Sequence, residues 1–342
     1  MILLSVVIPL YNGKDYIKRN IESLKKVKCS KEIIIVDDGS TDDSYLYCCE
    51  IFNNDDEVCL IHQDNAGIAA ARNKGMEFVR GKYVIFVDQD DLINPKTVNR
   101  AIQKIEMEKT DLLMWSTARR DEQGNMYPCD TVNFEIKVKG EVIQKQFLLS
   151  MIYEHGNQYI SYIGHVWSGI YDVDFIKKYN IFFHCFVNYE DDYLFVFDCL
   201  RNASCVYFFN EIGYYWSINN KSYSFRQRHL EKYYEKMVQL YTYLLESLKQ
   251  VLDFQLIEDI MSYCCQTIIL KTMRNCGCNS KIDKGELRQI KEILMSDEYK
   301  NVWKGGLKYN VDLRFRILYY SIKFKIPYIG ILLTHIYYTI FR

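Results

Sequence analysis

Acidic side chains cluster at two points of the chain, and each cluster closes a run of apolar residues. The two runs are Val36-Asp37-Asp38-Gly39-Ser40-Thr41-Asp42 and, about 50 residues later, Val87-Asp88-Gln89-Asp90-Asp91. In an open α/β sheet, the carboxyl ends of the strands border the ligand crevice. Carboxylates there repel a pyrophosphate unless a metal intervenes, and Mg²⁺ is typically held by one or two carboxylates plus substrate phosphates. The pattern predicts a nucleotide and divalent-cation site in an enzyme that uses sugar nucleotides.

The elements that must position these clusters alternate between strands and helices. Apolar runs predict four strands, at 3–10, 32–36, 58–62 and 83–87, and helical spacing predicts helices at 14–26, 44–52 and 67–79. Nearly continuous apolar strands are typical of a parallel sheet that is covered on both faces. Right-handed crossovers make such a sheet doubly wound. The sequence therefore predicts an α/β fold with a doubly wound, mostly parallel nucleotide-binding sheet flanked by helices.

Further elements follow this sheet. Asn94-Pro95 predicts the start of a helix, with proline in the first turn, and 111–115 predicts a strand. Residues 121–125 resemble a hairpin turn, and 147–153 a helix. From about residue 225 the pattern becomes helical, with predicted helices at 229–252, 254–273 and 284–295.

Composition narrows the function classes. The 43 basic and 44 acidic residues give a net charge of −1, which argues against a nucleic acid as the main partner. The 12 cysteines lack the paired spacing of a zinc site and are expected to be reduced cytosolic thiols. Because Met1-Ile2-Leu3-Leu4 has no basic segment and runs into a strand pattern, no signal peptide is expected. The active part is therefore expected in the cytosol.

The segment 304–342 is rich in basic and aromatic residues. It contains one acidic residue, Asp312, and seven basic ones: Lys304, Lys308, Arg314, Arg316, Lys323, Lys325 and Arg342. The uncharged part, 326–341, is too short to cross a hydrocarbon core of ~30 Å at a helical rise of ~1.5 Å per residue. Basic and aromatic residues together favour docking on an anionic membrane surface. The alternative is a core helix with a solvated basic face.

Five motifs in this order resemble family 2 glycosyltransferases, the inverting GT-A enzymes that make bacterial surface polysaccharides. The motifs are Ser5-Val6-Val7-Ile8-Pro9-Leu10-Tyr11-Asn12, the turn at 36–42, Asn65-Ala66-Gly67-Ile68-Ala69-Ala70-Ala71-Arg72-Asn73-Lys74-Gly75, Phe86-Val87-Asp88-Gln89-Asp90-Asp91, and Tyr189-Glu190-Asp191-Asp192-Tyr193-Leu194-Phe195. The resemblance covers roughly residues 3–225.

The resemblance implies a nucleotide site. It assigns nucleotide binding to Pro9 and Tyr11, placed just past the first strand, and to Asp38, which can accept from a pyrimidine N–H. It also implies that Arg72 reaches base or phosphate and that Asp88 contacts the ribose or lies behind the metal ligand. From the residues alone, Asp38 is equally well a turn residue beside the permissive Gly39, and Arg72 a solvated helix arginine.

The same resemblance assigns the metal and the base. Asp88 and Asp90 lie two positions apart, so in a strand they would point the same way and serve one site. Asp90 is implied as the metal ligand for Mn²⁺ or Mg²⁺, and Asp91 could equally cap the helix before Pro95.

Asp191 matches the catalytic base of the family, which removes the proton of the attacking hydroxyl. Glu190 and Asp192 are its rivals, and in a helix adjacent residues point in different directions, so one of the three would face the reacting carbon. The alternative is that these acids cap an apolar helix at 193–200.

Two motifs depart from the family pattern. The family's Trp-Asn-Lys-Leu-Tyr appears as Trp167-Ser168-Gly169-Ile170-Tyr171, without Asn and Lys. The later Tyr-Arg-x-x-x-x-Ser appears as Trp216-Ser217-Ile218-Asn219-Asn220-Lys221-Ser222, without Arg. Both lie where acceptor and donor sugar are expected, so sugar specificity cannot be carried over.

The resulting prediction is a metal-dependent inverting glycosyltransferase on the inner face of the cell membrane. It would move one sugar from a UDP-sugar to a hydroxyl of a growing, lipid-linked glycan. The expected divisions are a GT-A domain at 1–225, with a nucleotide half at 1–115 and an acceptor half at 116–225, a helical extension at 226–303, and the tail at 304–342.

A Rossmann dehydrogenase is disfavoured because Pro9-Leu10-Tyr11-Asn12-Gly13 replaces Gly-x-Gly-x-x-Gly. A catalytically inactive nucleotide-sugar-binding relative, or a partner subunit of another glycosyltransferase, is the other alternative.

Overall fold

A mixed sheet of ten strands, as far as the described residues go, organises the first of two units into which the chain divides, Met1–Asn220 and Lys221–Arg342. The computed structural model describes residues 1–140, 142–149, 151, 164–186, 190–218, 230–249, 254–277, 284–295, 313–323, 327 and 329–333.

The strands of the sheet are β1 (Leu4–Leu10), β2 (Lys31–Asp38), β3 (Val58–Gln63), β4 (Tyr83–Phe86), β5 (Leu92–Ile93), β6 (Leu112–Arg120), β7 (Met126–Pro128), β8 (Ile136–Lys139), β9 (Gly169–Asp172) and β10 (Cys205–Ser217). Their order is β3-β2-β1-β4-β9-β6-β10-β5, with β7 beside β6 and β8 beside β10. The helices of this unit are α1 (Lys14–Leu24), α2 (Ser44–Phe52), α3 (Ile68–Glu77), α4 (Pro95–Glu108), α5 (Val173–Lys178) and α6 (Asp191–Asn202).

The four N-terminal strands form the parallel half of the sheet. β1 pairs in parallel with β2 and β4, and β2 pairs in parallel with β3. All seven residues of β1 are buried, as expected for a central strand covered on both faces. The structure thus confirms the predicted strands and crossover helices of this half, with bounds shifted by a few residues at most.

The other half of the sheet changes direction at β9. This strand pairs antiparallel with both β4 and β6, whereas β6 and β10 pair in parallel. Gly169 makes the close approach possible, because a Cβ there would lie 2.6 Å from the carbonyl oxygen of Leu113. The Lys of the family pattern therefore has no room at this position.

Side chains on α3 pack directly on the parallel strands. A Cβ on Gly75 would lie 2.4 Å from Cγ1 of Val7, so the helix approaches β1 as closely as a glycine allows. This close packing fixes the axis of α3 over β1 and with it the position of Arg72.

The predictions for residues 121–153, which connect the two halves of the sheet, are confirmed only in part. The turn at 121–125 joins the antiparallel strands β6 and β7, as expected. The helix expected at 147–153 begins earlier, as a π-helix at Ile143–Leu148, and residues 152–153 lie outside the described residues.

The second unit is helical in its described residues. Its helices are α7 (Tyr233–Leu248), α8 (Phe254–Gly277), α9 (Lys284–Met295) and α10 (Leu313–Lys323), which confirms the three predicted helices. Ile269 and Met273 on α8 share a buried cluster with Leu318 and Tyr319 on α10. Most of the segment 304–342 lies outside the described residues. No helix in the described ranges is both long enough and apolar enough to cross a membrane.

Candidate active site

The second acidic cluster lies in a tight turn after β4. The strand ends at Phe86, and the backbone N–H of Asp91 donates to the carbonyl oxygen of Asp88 at 3.1 Å. Asp88 and Asp90 are not in a strand, so the expected alternation of strand side chains does not apply to them; that the pair serves one site stays a prediction. Asp88 and Asp90 are both partly exposed at this turn.

Asp91 is a buried structural carboxylate. Its two oxygens accept from the hydroxyl of Tyr214 at 2.7 Å and from the backbone N–H of Ser217 at 2.7 Å. Burial and the neighbouring carboxylates of Asp90 and Asp88 raise the pKa of Asp91 well above its ordinary value. The idea that Asp91 caps α4 was wrong, since Asn94 is the capping residue.

An irregular stretch of β10 aims Tyr214 at this turn. The register against β6 shifts on both sides of Ile212, and a Cβ on Gly213 would lie 2.4 Å from the ring of Trp115. Such irregularities re-aim side chains next to functional sites. The Tyr214 hydroxyl also accepts from the backbone N–H of Asp88 at 3.1 Å, so one phenol holds both ends of the turn.

Asp38 ends β2 and organises the loop that precedes α3. It is 4% exposed, and its carboxylate accepts three hydrogen bonds of 2.7 to 2.9 Å, from the Gln63 amide and the backbone N–H groups of Ala66 and Gly67. Gly39 has a φ of +67°, which confirms that a permissive residue is required there. A carboxylate offers about four acceptor positions, so Asp38 retains capacity for one more donor.

The residues expected to face the base differ in exposure. Tyr11 is 44% exposed at the end of β1. Pro9 lies inside β1 and is buried, so its expected place past the strand was wrong. The sheet tolerates this proline because β4 pairs only with residues 4–7 of β1, which leaves no ladder hydrogen bond for Pro9 to lose on that side.

Gln89 joins Tyr11 to the acidic turn. Its side-chain oxygen accepts from the backbone N–H of Tyr11 at 2.8 Å, and its amide donates to the Tyr11 carbonyl at 3.0 Å. The amide of Asn20, on α1, donates to the carbonyl oxygens of Asp88 and Asp91, both at 2.9 Å. Sequence reasoning missed both residues, although Gln89 stands between the two acids of the motif.

The guanidinium of Arg72 lies among three carboxylates. Nη2 donates to Asp88 at 2.8 Å, and Nη1 donates to Asp191 at 2.9 Å and to Asp192. Arg72 is 1% exposed, and its guanidinium lies 5.3 Å from the ring of Phe183. Both Nη atoms of Arg72 thus contact acids, and the expected contact with base or phosphate stays a prediction.

Asp191 is the first residue of α6 and is 5% exposed. Glu190 precedes the helix and makes no side-chain cap. Asp191 and Asp192 both accept from the same nitrogen of Arg72, so two members of the triplet reach one group. That one of the three faces the reacting carbon stays a prediction. One Nη atom carries two N–H donors, so it contacts both first-turn side chains despite their angular separation. Tyr189 lies outside the described residues.

The cluster carries more negative than positive charge. Burial works against the charge of Arg72, but the carboxylates of Asp192, Asp88 and Asp191 outweigh it and raise the arginine pKa further. Burial raises the pKa of Asp192 to about 7, helped by Asp191 and Asp88 and opposed by Arg72. A proton at Asp192 relieves the repulsion among the three acids near neutral pH.

The Asp-x-Asp turn, the arginine and the proposed base therefore meet in one place. Arg72 connects Asp88 to Asp191, which lies more than a hundred residues later. Tyr11 is tied to the same turn through Gln89, whereas Asp38 lies at the end of β2 with its own loop contacts. Most of the residues expected to do chemistry thus lie near the carboxyl ends of β1, β2 and β4.

A divalent cation fits this turn as a partly open site. Within the described ranges, no three His, Cys, Asp or Glu side chains are grouped to hold a metal on their own. Asp91 accepts from Tyr214 and Ser217, and Asp88 accepts from Arg72. Asp90, the expected metal ligand, is partly exposed at the turn. Mg²⁺ is usually held by one or two carboxylates together with substrate phosphates and water. The donor set is consistent with a cation that arrives with a diphosphate.

His165 is a further residue that sequence reasoning left unassigned. Its ring stacks on Trp167 at 4.2 Å between centroids, and Trp167 stacks on Tyr214 at 4.6 Å. Burial lowers the pKa of His165, and Asp130 and Asp88 oppose that effect. The ring column therefore ends beside the acidic turn. His165 lies two positions before Trp167, and this proximity to a family motif was the sequence signal that could have identified it.

Comparisons with known proteins agree with this architecture. Residues 5–162 match the glycosyl transferase family 2. The chain is 31% identical to the uncharacterized glycosyltransferase YibD of Escherichia coli (strain K12), over 87% of this chain and 86% of that protein. It is 25% identical to the uncharacterized glycosyltransferase EpsJ of Bacillus subtilis (strain 168), over 86% and 84%.

Among solved structures, S. aureus TarS 1–349 in complex with UDP-GlcNAc matches with a TM-score of 0.67 at 21% identity, covering 99% of this chain and 92% of that one. The likeness confirms the expected GT-A fold. Together with the match to YibD, it supports one conclusion: the chain belongs to glycosyltransferase family 2.

Proposed function

We propose that this protein is an inverting glycosyltransferase that moves a single sugar from a UDP-sugar to a hydroxyl of a lipid-linked glycan in surface polysaccharide synthesis. The observation that carries the proposal is the meeting of Asp191 with the Asp-x-Asp turn through Arg72. Transfer requires a base and a diphosphate site within one crevice. Asp191 is the proposed base and the Asp-x-Asp turn the proposed diphosphate site, although the two lie about a hundred residues apart in the sequence.

The reaction is a single displacement. Asp191 accepts the proton of the acceptor hydroxyl while the hydroxyl oxygen forms a bond to the anomeric carbon. The bond from that carbon to the β-phosphate oxygen breaks, its electron pair stays on UDP, and the configuration inverts. A positioned general base contributes about 10²–10⁴ to such a rate.

The nucleotide site is proposed at the ends of β1 and β2. Exposed Tyr11 would lie against the base, with Pro9 supporting the strand end beneath it, and Asp38 would accept from the pyrimidine N–H with its remaining acceptor capacity. Asp88 would contact the ribose or support the metal ligand. A uridine nucleotide is favoured because TarS, which shares the fold, has been solved with UDP-GlcNAc.

Asp90 would hold a divalent cation together with the donor diphosphate. When bound, the cation would neutralise charge on the departing UDP. The protein positions Asp90 through the turn that Asn20 and Tyr214 hold in place. The donor set fits Mn²⁺ or Mg²⁺, both of which accept oxygen ligands.

Placement on the inner face of the cell membrane rests on the segment 304–342. Its basic and aromatic residues suit an anionic surface, where a lipid-linked acceptor would also lie. The described helix α10 buries Leu318 and leaves Tyr320 and Arg316 exposed. One face of that helix therefore packs in the unit's core, and the other is exposed.

A panel of nucleotide-sugars tests the proposal. Purified protein with Mn²⁺ or Mg²⁺ should release UDP from at least one UDP-sugar and release little nucleotide from GDP-, CMP- or dTDP-sugars. Chelation should abolish the release, and adding the cation back should restore it. Absence of nucleotide release from every donor, with and without lipid-linked acceptors, would contradict the proposed activity.

A further inference from the structure

Arg72 is a buried arginine whose burial requires an explanation. It is 1% exposed in the middle of α3, with its Nε atom buried and without a hydrogen-bond partner among the described residues. Burial disfavours a charged guanidinium unless carboxylates compensate, as they do here. A buried arginine among three carboxylates suggests a role in function or specificity. Its burial does not fit a solvent-exposed arginine that contacts a nucleotide.

Both Nη atoms of Arg72 are engaged with acids from distant parts of the chain. Nη2 contacts Asp88 in the acidic turn, and Nη1 contacts Asp191 and Asp192 on α6. The planar guanidinium sets fixed donor directions, unlike the single ammonium of lysine. The distance between the turn and the start of α6 is therefore determined by one rigid group.

The support beneath Arg72 is also specific. Phe183 lies under the guanidinium at 5.3 Å and stacks on Phe195, a residue of α6, with centroids 4.3 Å apart. Asn73, next to Arg72, exchanges hydrogen bonds of 2.8 Å with the backbone of Phe183 in both directions. Packing on Phe183 thus adds to the contacts that Arg72 makes with its acids.

We propose that Arg72 is a positioning residue that fixes the catalytic base Asp191 relative to the Asp-x-Asp turn, and is not a nucleotide ligand. One oxygen of Asp191, Oδ2, is anchored by Nη1, which sets the side-chain rotamer of the base. A carboxylate has acceptor positions to spare, so the anchored group still accepts a proton. Errors of about 1 Å in such placement cost about 100-fold in rate.

This inference rests on the proposed transferase activity, and its test separates the two. Arg72→Lys keeps the positive charge but loses the fork, so kcat for nucleotide release should fall by about 10-fold or more. The Kd of UDP, measured by titration calorimetry, should stay within about 3-fold. The donor KM should likewise change little.

The control is Arg201→Met. Arg201 lies on α6, as Asp191 does, and pairs with Asp198 at 3.2 Å near the end of the helix. Its loss should leave kcat and UDP affinity within about 2-fold of the wild-type protein. A comparable loss of kcat in this variant would show that α6 is sensitive to any lost ion pair, which would overturn the specific role of Arg72.

Arg72→Met leaves three acids without their cation and is expected to fold poorly. The double variant Arg72→Met/Asp192→Asn keeps the net charge of the cluster and supplies the second test. It should fold, bind UDP within about 3-fold of wild type, and show kcat below that of Arg72→Lys. A higher kcat with lysine than with methionine at position 72 is expected if a cation there orients Asp191.

Two results would overturn the proposal in distinguishable ways. A UDP Kd raised about 30-fold or more in Arg72→Lys, with kcat at saturating donor unchanged, would make Arg72 a nucleotide ligand and overturn this inference alone. A wild-type protein that releases nucleotide from no nucleotide-sugar would overturn the proposed function and this inference together.

Discussion

Three carboxylates meet one guanidinium at Arg72, and this imbalance governs the electrostatics of the site. Burial raises the pKa of Asp192 to about 7, so its proton is lost only near neutral pH. An acid whose pKa is higher in the folded protein than in the unfolded chain stabilises the fold at low pH. That contribution disappears as the pH rises through the folded-state pKa.

Asp192→Asn should therefore flatten the pH dependence of stability. Between pH 5 and pH 8, the free energy of unfolding of the wild-type protein should fall by roughly 1–3 kcal/mol more than that of the variant. Urea denaturation at a series of pH values measures the difference. Parallel pH profiles for the two proteins would show that Asp192 carries no raised pKa.

The residue types of the site could be predicted from the sequence, but their contacts could not. Acids after apolar runs indicated Asp38, Asp88 and Asp90 at the ends of parallel strands. Nothing in the spacing connects Arg72 to Asp191, which lies 119 positions away. Asp91 was misassigned because its partner Tyr214 is aimed by an irregular strand, which no periodic pattern reports.

At the scale of elements, β10 and the acidic turn support each other through Asp91. Its carboxylate is buried and accepts from the Tyr214 hydroxyl and the Ser217 backbone. The same hydroxyl accepts from the backbone of Asp88. The turn that presents Asp90 therefore depends on a strand that follows it by more than a hundred residues.

Tyr214→Phe should destabilise the first unit by about 1–3 kcal/mol, because it removes one of the two hydrogen bonds to the buried Asp91 carboxylate and leaves the backbone N–H of Asp88 without its acceptor. Tyr215→Phe is the matched control on the neighbouring residue. Its hydroxyl accepts one hydrogen bond, from Asn94 at 3.1 Å, so its loss should cost about 1 kcal/mol or less. Equal destabilisation of the two variants in urea would contradict the role given to Tyr214.

The contact of α3 with β1 gives a second prediction at this scale. Gly75→Ala places a Cβ 2.4 Å from Val7 and should destabilise the fold by about 1–3 kcal/mol through overpacking. Combining it with Val7→Ala should recover part of this loss, since the second change removes the clashing methyl groups. Additive destabilisation in the double-mutant cycle would show that the two residues do not press on each other.

The strands of the parallel half were predictable because they are nearly continuous apolar runs, and α1 because its apolar residues recur at helical spacing. In this half, α2 has the predicted bounds, and α1, β1 and β3 differ at their ends only. The antiparallel insertion of β9 was not predictable, since a four-residue strand carries no direction in its sequence. Gly169 allows β9 to approach β6 closely, but the sequence does not say that β6 is its partner.

At the scale of the whole molecule, the second unit combines a packed helical core with the basic segment 304–342. Deleting that segment would remove Leu318 and Tyr319 from the buried cluster that they share with α8. Charge substitutions are therefore a cleaner probe of membrane binding than truncation.

Replacing Lys308, Arg314 and Arg316 by Gln should weaken binding to vesicles of phosphatidylserine and phosphatidylcholine by roughly 100-fold, at about 1 kcal/mol for each basic residue. The control replaces three exposed lysines of the first unit, Lys18, Lys26 and Lys96, by Gln and should change binding little. Equal loss in both triple variants, or no vesicle binding by the wild-type protein, would contradict membrane docking by this segment.

The central claim is that Asp191 is the base of a transfer reaction in the crevice of the Asp-x-Asp turn. The most direct test is the rate of UDP release by Asp191→Asn at saturating donor and acceptor, beside Asp174→Asn, an exposed first-turn aspartate of α5. We predict a kcat lowered by about 10²–10⁴ for Asp191→Asn, with UDP affinity retained and Asp174→Asn unchanged. A kcat within a few-fold of wild type for Asp191→Asn would contradict the claim.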